Sequence, residues 1–434
     1  MSALIRLDAY LPVSVAGRPA FCQHLSVDEL AVDLPSDEVL ELRSAAAVIV
    51  YCADDLAVAA EGEVLSEEAG APEGMRRWLL RFTTFEGTGR EDLVGHLSSL
   101  RKTAHLKIAA TEDVESATTR AGWNEVRLPH SALPEAHADE DISLESSLLG
   151  RSLAVPLLIS GMTGGSRKAG EINRRLARLA QELGCALGLG SQRAMLEQPE
   201  LASTYRVRSL APDVLLLANL GAVQLNYGVS VDDCRRLVDA IEADVLALHL
   251  NPLQEMVQPE GDRDWRDLLR AVGDVVRAVE VPVLVKETGC GIDGPLAAAL
   301  REEGVQAVDV GGTGGTAWGW IEGFRAADPH RQEIGATFRE WGIPTVDALR
   351  SCRAALPDDF PLVATGGVRT GLDIARALAL GAQAAGMALP FFRAADQSLD
   401  EAVALGHRLT EELRIAMFCA GVRDLASLRA LEVS

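Results

Sequence analysis

His249-Leu-Asn-Pro-Leu-Gln-Glu255 follows directly on an apolar run, Val245-Leu-Ala-Leu-His-Leu250, so a buried strand here runs out into a polar loop. In a parallel barrel such a loop lies at the carboxyl-terminal mouth, where His249, Asn251, Gln254 and Glu255 can converge on one ligand. A histidine ending a buried strand can equally be a hydrogen-bonded core residue, and Gln-Glu can be a solvated helix start. The neighbouring segments decide between these readings.

Seven further apolar runs share this character: Val155-Pro-Leu-Leu-Ile-Ser160, Ala186-Leu-Gly-Leu-Gly190, Val214-Leu-Leu-Leu-Ala-Asn219, Val281-Pro-Val-Leu-Val-Lys286, Ala307-Val-Asp-Val-Gly311, Leu362-Val-Ala-Thr-Gly366 and Ala384-Ala-Gly-Met-Ala-Leu389. They are apolar almost throughout rather than alternating, as strands covered on both faces are. Helical periods lie between them, among them Glu171 to Ala180, Cys234 to Ile241 and Leu372 to Leu380, the last ending at Gly381 as at a carboxyl cap. Eight strands alternating with helices predict an α/β fold, a (β/α)8 TIM barrel, with an open doubly wound sheet as the alternative. Residues Leu399 to Leu431 read as helices that close the domain.

The residues after each run are polar and rich in glycine. They include Gly161-Met-Thr-Gly-Gly165, Gly190-Ser-Gln-Arg193, Asn219-Leu-Gly221, Lys286-Glu287, Gly311-Gly-Thr-Gly-Gly-Thr316, Gly366-Gly-Val-Arg369 and Gly386-Met-Ala-Leu-Pro390. Turns need glycine in any case. On the last two strands, with Arg369 adjacent, glycines let backbone N–H groups approach a phosphate, so an anion cradle is expected there. Lys286 ends its strand facing the mouth, where it could form a Schiff base or hold negative charge on a flavin ring. Upstream, Arg101-Lys-Thr-Ala-His105 sets Arg101 and His105 four residues apart, on one face of a helix, with Lys102 beside them. That cluster reads as an anion site or as a solvated helix end.

Composition bounds the function. The chain of 434 residues carries a net charge of −22, which argues against general binding to nucleic acid or to an anionic membrane. No apolar run approaches the roughly 20 residues that span a bilayer, and no basic segment followed by an apolar core opens the chain, so a cytoplasmic protein is expected. The seven cysteines are scattered, with no pair at metal or redox spacing. They read as buried small hydrophobes.

Residues 1–95 read as a small, mainly-β accessory domain ahead of a barrel domain spanning 100–434. Val13-Ser-Val-Ala16, Ala46 to Cys52 and Trp78 to Phe82 are short strand-like runs separated by Gly, Pro, Asp and Glu, which predicts an antiparallel barrel or sandwich, followed by a helical pattern from Glu91 to Leu100. The strand at Trp78 to Phe82, then Phe85, then an acidic helix start, resembles a PilZ-type domain. His24-Leu-Ser-Val-Asp-Glu-Leu30 stands where that family has its Asp/Asn-x-Ser-x-x-Gly turn, without the acidic residue and the glycine, and no Arg-x-x-x-Arg clamp precedes it. A packing or interaction role is therefore expected rather than a cyclic-dinucleotide sensor.

Met162-Thr-Gly-Gly165, Gly190-Ser-Gln-Arg193, Ala218-Asn-Leu-Gly221, His249 to Glu255 followed by Pro259-Glu-Gly-Asp262, Val285-Lys-Glu287, Gly311 to Thr316 and Gly366-Gly-Val-Arg369 resemble the motifs of type 2 isopentenyl diphosphate isomerase. The resemblance runs from about Arg101 to the carboxyl terminus. It implies a flavin-dependent barrel that interconverts isopentenyl and dimethylallyl diphosphate with reduced FMN and Mg2+, NADPH being one source of electrons. By position, Thr163, Gly164, Ser191, Asn219, Lys286 and Thr316 would contact FMN, and Gly367, Val368, Arg369, Ala388 and Leu389 would hold its phosphate. Arg101, Lys102, His105, Ser191, Gln192 and Arg193 would surround the substrate diphosphate, with Asn251 and Gln254 near the isoprene and Glu255 on Mg2+. His249, Gln254 and Lys286 would be catalytic. The family forms tetramers or octamers, so a homo-oligomer is implied. Two rivals share the barrel. One is an FMN-dependent oxidoreductase, although Ala317 to Arg325 offers neither the Cys nor the His that such enzymes place after a late strand; the other is a regulatory protein that binds flavin or prenyl diphosphate.

Overall fold

The computed structural model describes residues 5–26, 28–53, 56–89, 93, 102, 104–258, 260–326 and 328–433. Six strands open the chain: β1 (Ile5–Val15), β2 (Arg18–Leu25), β3 (Glu29–Pro35), β4 (Ala45–Ala53), β5 (Leu56–Glu68) and β6 (Met75–Phe85). They close into an antiparallel barrel in the order β1-β2-β3-β6-β5-β4, which decides for the barrel over the sandwich. Alternation drives it: Val48 and Val50 of β4, Leu30 and Val32 of β3, and Leu80 of β6 fill one core. On β6, Arg77 and Arg81 stand four apart, and both are committed to carboxylates of β3. Arg77 holds Asp33 through two bonds of 2.7 Å, and Arg81 reaches Glu29 at 3.0 Å. Apart from Leu93, the helix expected over 91–100 lies outside the described residues.

A short hairpin, β7 (Ser146–Leu148) with β8 (Arg151–Leu153), leads into the second barrel. Its strands are β9 (Leu157–Ile159), β10 (Ala186–Gly188), β11 (Leu216–Gly221), β12 (Val245–Leu250), β13 (Val283–Glu287), β14 (Ala307–Asp309), β15 (Leu362–Thr365) and β16 (Ala384–Met387). All pair in parallel with their sequence neighbours, and β16 returns to β9, so the eight-stranded ring is closed and the open sheet is excluded. Each run named above supplies one strand.

Side chains alternate between two cores. Leu158, Leu217, Ala247, Leu284, Val363 and Ala384 fill the barrel interior, and Leu148 and Leu153 of the hairpin plug its lower end. Leu216, Leu248, Val283, Val285 and Leu362 face outward onto the helices. Truncating a buried leucine such as Leu284 to alanine would cost about 2–5 kcal/mol. The helix Gly371–Ala379 begins on a capping box, Thr370 with Asp373, and Gly381 past its end has φ +93, which an L side chain rarely adopts.

Register places the chemistry. Gly221, His249, Lys286 and Asp309 are paired in one row across β11 to β14, a polar layer above the apolar interior. Among the described residues no helix is long and apolar enough to cross a membrane, and the cysteines are free thiols.

Candidate active site

Above that row opens a cavity of about 200 Å³ at the carboxyl ends of the strands. Its floor is polar. The Asn219 amide donates through Nδ2 to the Leu189 carbonyl at 2.8 Å, so Oδ1 is left as acceptor for His249 Nδ1, also at 2.8 Å. His249 Nδ1 therefore carries the proton and Nε2 is a lone pair. Protein surrounds the ring except at its cavity edge. Burial, with the Lys286 charge beside it, lowers the His249 pKa to about 3, so the imidazole is neutral at physiological pH. Lys286 donates to the Glu287 carbonyl at 3.0 Å.

One wall is cationic. Lys102 Nζ donates to Tyr205 Oη at 2.8 Å and to the Ser191 carbonyl at 3.2 Å, which fixes its ammonium beside the loop after β10. Arg193 follows Ser191 and is anchored by Glu197 at 2.8 Å and Asp262 at 3.0 Å, while still lining the cavity. His105 closes this wall against the edge of Trp318, ring centres 5.7 Å apart. Local positive charge thus stands in a chain of net charge −22.

The helix Pro252–Val257 carries the adjoining wall, started by the proline of His249-Leu-Asn-Pro. Gln254 Nε2 donates to Glu322 Oε1 at 2.9 Å. His105 Nε2 comes within 2.9 Å of the same oxygen, and Arg325 Nε donates to Oε2 at 2.9 Å. Glu322 is fully buried. Burial would raise its pKa, but His105, Arg325 and Gln254 hold it well below the usual carboxylate range. Glu255 faces the cavity with Asn251 Nδ2 on Oε1 and the Asp262 N–H on Oε2, each at 2.9 Å.

The third wall is glycine. A Cβ on Gly367, whose φ is +65, would lie 2.5 Å from the Gly314 carbonyl and 2.7 Å from Ala121. One on Gly164 would lie 1.9 Å from the Tyr205 ring. Only glycine fits so close an approach, to backbone at Gly367 and to an aromatic ring at Gly164. Arg369 lines it, pairing with Glu115 and donating to the Val368 carbonyl at 2.7 Å. Ala388 and Leu389 stand at the start of the helix Leu389–Gln397.

The cavity brings together Lys102, His105, Thr163, Gly164, Ser191, Arg193, Asn219, His249, Asn251, Gln254, Glu255, Lys286, Thr316, Gly367, Arg369, Ala388 and Leu389. Gln192 is a correction. Its side chain is buried, accepting from the Asn219 N–H at 2.9 Å and donating to the Leu237 carbonyl at 3.1 Å, so it ties β10 to β11 instead of facing a ligand. The Val368 side chain likewise lies in the outer core, leaving only its backbone for a phosphate. Arg101 and Pro259 lie outside the described residues. Sequence reading missed Tyr205, Trp318, Glu322 and Arg325. The available signal for the last two was a Glu and an Arg three residues apart inside the apolar stretch Trp318-Gly-Trp-Ile-Glu-Gly-Phe-Arg325.

Residues 238–433 match the family model described as FMN-dependent dehydrogenase. The chain is similar to a protein of Nostoc sp. named isopentenyl-diphosphate delta-isomerase, 47% identical over 76% of this chain and 93% of the relative. A Synechococcus sp. protein of the same name is 50% identical over 76% and 94%, and one of Rickettsia africae is 45% identical over 77% and 96%. Among solved structures, mandelate oxidase with (S)-2-phenylpropionate aligns at a TM-score of 0.54 and 20% identity, covering 76% of this chain and 93% of that one. That last likeness is one of fold.

Proposed function

The chain belongs to the isopentenyl-diphosphate delta-isomerase family, and on that footing we propose that it interconverts isopentenyl and dimethylallyl diphosphate by an allylic proton shift, with reduced FMN and Mg2+. The observation that carries this is one cavity lined by Lys102, Arg193 and His105 and by the glycines Gly164 and Gly367, with the Gln254–Glu322 pair beside it.

The residues fit both groups. Lys286 and the amides of Thr163 to Gly164 suit an isoalloxazine edge, and Gly367 with Arg369, Ala388 and Leu389 suits its phosphate. Bound and reduced, FMN supplies proton transfer at carbon and negative charge beside the alkene. Among the described residues no cluster of three or more His, Cys, Asp or Glu could hold a metal. Glu255, which faces the cavity, would be the protein's carboxylate for Mg2+, with the buried Asn251 Oδ1, which meets no donor among the described residues, beside it. Diphosphate and water complete the shell of so hard an ion.

Lys102, His105 and Arg193 bind and orient the diphosphate, which fixes where the five-carbon end lies. A tertiary cation developing there is a strong acid, so a weak base suffices to take its proton. Gln254, held by its Nε2–H bond to the Glu322 carboxylate, would accept that proton on Oε1 and release one from Nε2 to Glu322, which His105 and Arg325 keep ionised; His249 Nε2 is the second neutral acceptor. NADPH is the proposed reductant. The protein is proposed to be a cytoplasmic homo-oligomer, tetramer or octamer, with residues 100–434 as its catalytic domain and 1–95 as a PilZ-like accessory domain with a packing or interaction role.

The test is an anaerobic incubation with FMN, NADPH, Mg2+ and isopentenyl diphosphate, following product and NADPH together. Many turnovers on only enough NADPH to reduce the flavin are expected. No product with reduced flavin bound refutes the five-carbon reading, and NADPH loss in step with substrate means an oxidoreductase.

A further inference from the structure

Asp309 stands next to Lys286 in the row that runs from Gly221 through His249. Its side chain is fully buried. Oδ1 accepts from Thr365 Oγ1 at 2.6 Å and from the Gly311 N–H at 3.3 Å, while Oδ2 has no hydrogen-bond partner among the described residues. Ser160 Oγ is also buried without a hydrogen-bond partner among the described residues. Both residues, with Lys286 and Asn219, line a second cavity of about 10 Å³ just below the main one. That is room for one water, and a water needs two to four polar partners. Asp309 and Lys286 make no direct ion pair among the described residues, so this small space is what separates them.

We propose that Asp309 is the buried counter-charge of Lys286, acting through one water held by Asp309 Oδ2, Ser160 Oγ and the lysine ammonium. It is a positioning residue: it holds the Lys286 ammonium facing the main cavity and touches neither substrate nor flavin itself. Oδ1 is taken up by Thr365 and Gly311, and Oδ2 meets no other partner among the described residues. A buried carboxylate is costly unless a cation faces it, and Lys286 is the cation on the neighbouring strand. Burial pushes the Asp309 carboxyl up, with Lys286 and the Thr365 hydroxyl pulling it back down. Each of the two opposite charges thus lowers the cost of burying the other. The other titratable groups around Lys286 are the neutral His249 on β12 and Glu287 beside it. Glu287 is turned onto the N–H groups of Gly289 to Gly291, next to the Cys290 thiol.

The proposal rests on FMN being the ligand over Lys286, and its test separates the two. FMN affinity of the full chain is measured by flavin fluorescence at neutral pH. Lys286→Met should weaken binding, and Asp309→Asn should weaken it by about tenfold, within the range over which coupled neighbours interact. In a Lys286→Met background Asp309→Asn should cost no further affinity, because the carboxylate acts through the ammonium. Ser160→Ala, which removes one ligand of the water and leaves the carboxylate, should act in the same direction and serves if Asp309→Asn does not fold. If the wild type binds no FMN, the FMN reading has failed. If it binds FMN but Asp309→Asn and Ser160→Ala leave the affinity unchanged, or cost the same with and without Lys286, the counter-charge proposal alone is overturned.

Discussion

Replacing Glu322 with methionine breaks a buried charge network at its centre. Its side chain is 0% exposed and that of Arg325 is 2%, so neither can turn to water. Removing Glu322 strips a 2.9 Å partner from Arg325, leaving it Glu260 at 2.6 Å among the described residues, and removes the acceptor for Gln254. Breaking a buried pair from one side costs about 3–5 kcal/mol, whereas removing both charges often costs little. Glu322→Met should therefore lose about that much in urea unfolding. Glu322→Met with Arg325→Met should regain most of it, because Glu260 is 24% exposed and can be hydrated. The pH dependence has a definite sign. The folded carboxyl lies below its unfolded value of about 4.3, so its contribution is present above that pH and fades as pH falls through the folded value. The gap between wild type and Glu322→Met should narrow in acid. A single variant within about 0.5 kcal/mol of wild type, the spread ordinary surface changes show, would refute the reasoning, as would a double variant less stable than the single.

His249, with its pKa lowered to about 3, should show no imidazole titration by NMR between pH 5 and 8. Since the unfolded value is about 6.5, His249 should lower stability progressively as pH falls from there towards 3, and His249→Gln should flatten that slope. Gly367→Ala forces a Cβ to 2.5 Å from the Gly314 carbonyl at φ +65; left-handed strain of about 1–2 kcal/mol alone should lower stability by at least that much in urea unfolding. Lys102→Ala should raise KM for isopentenyl diphosphate by about 10- to 100-fold, the worth of one or two charge-assisted bonds, with the FMN Kd unchanged. Gln254→Ala should cut kcat while FMN still binds, and wild-type turnover would remove Gln254 from the mechanism.

The local signals in the chain fixed a good deal unaided. Near-continuous apolarity marked each of the eight strands, because a strand covered on both faces has no polar side to show. Glycine and polar residues after each run marked the mouth, because a backbone that approaches a phosphate cannot carry a Cβ. His249, Gln254, Glu255 and Lys286 were legible on those grounds, and Lys102 from the basic cluster Arg101-Lys-Thr-Ala-His105; all five line one cavity. What the chain could not show by itself is direction. Gln192 stands between Ser191 and Arg193, yet its side chain turns into the protein to join β10 to β11 while its neighbours face the cavity. Glu322 lies on a helix after β14, and only closure of the barrel brings it to Gln254 and His105. Asp309 and Lys286 became neighbours through strand register, which sequence separation does not encode. The sequence alone thus determined which segments are strands and what chemistry ends them; the tertiary structure decided which side chains meet, because contact across a closed barrel depends on register and closure rather than on any local pattern.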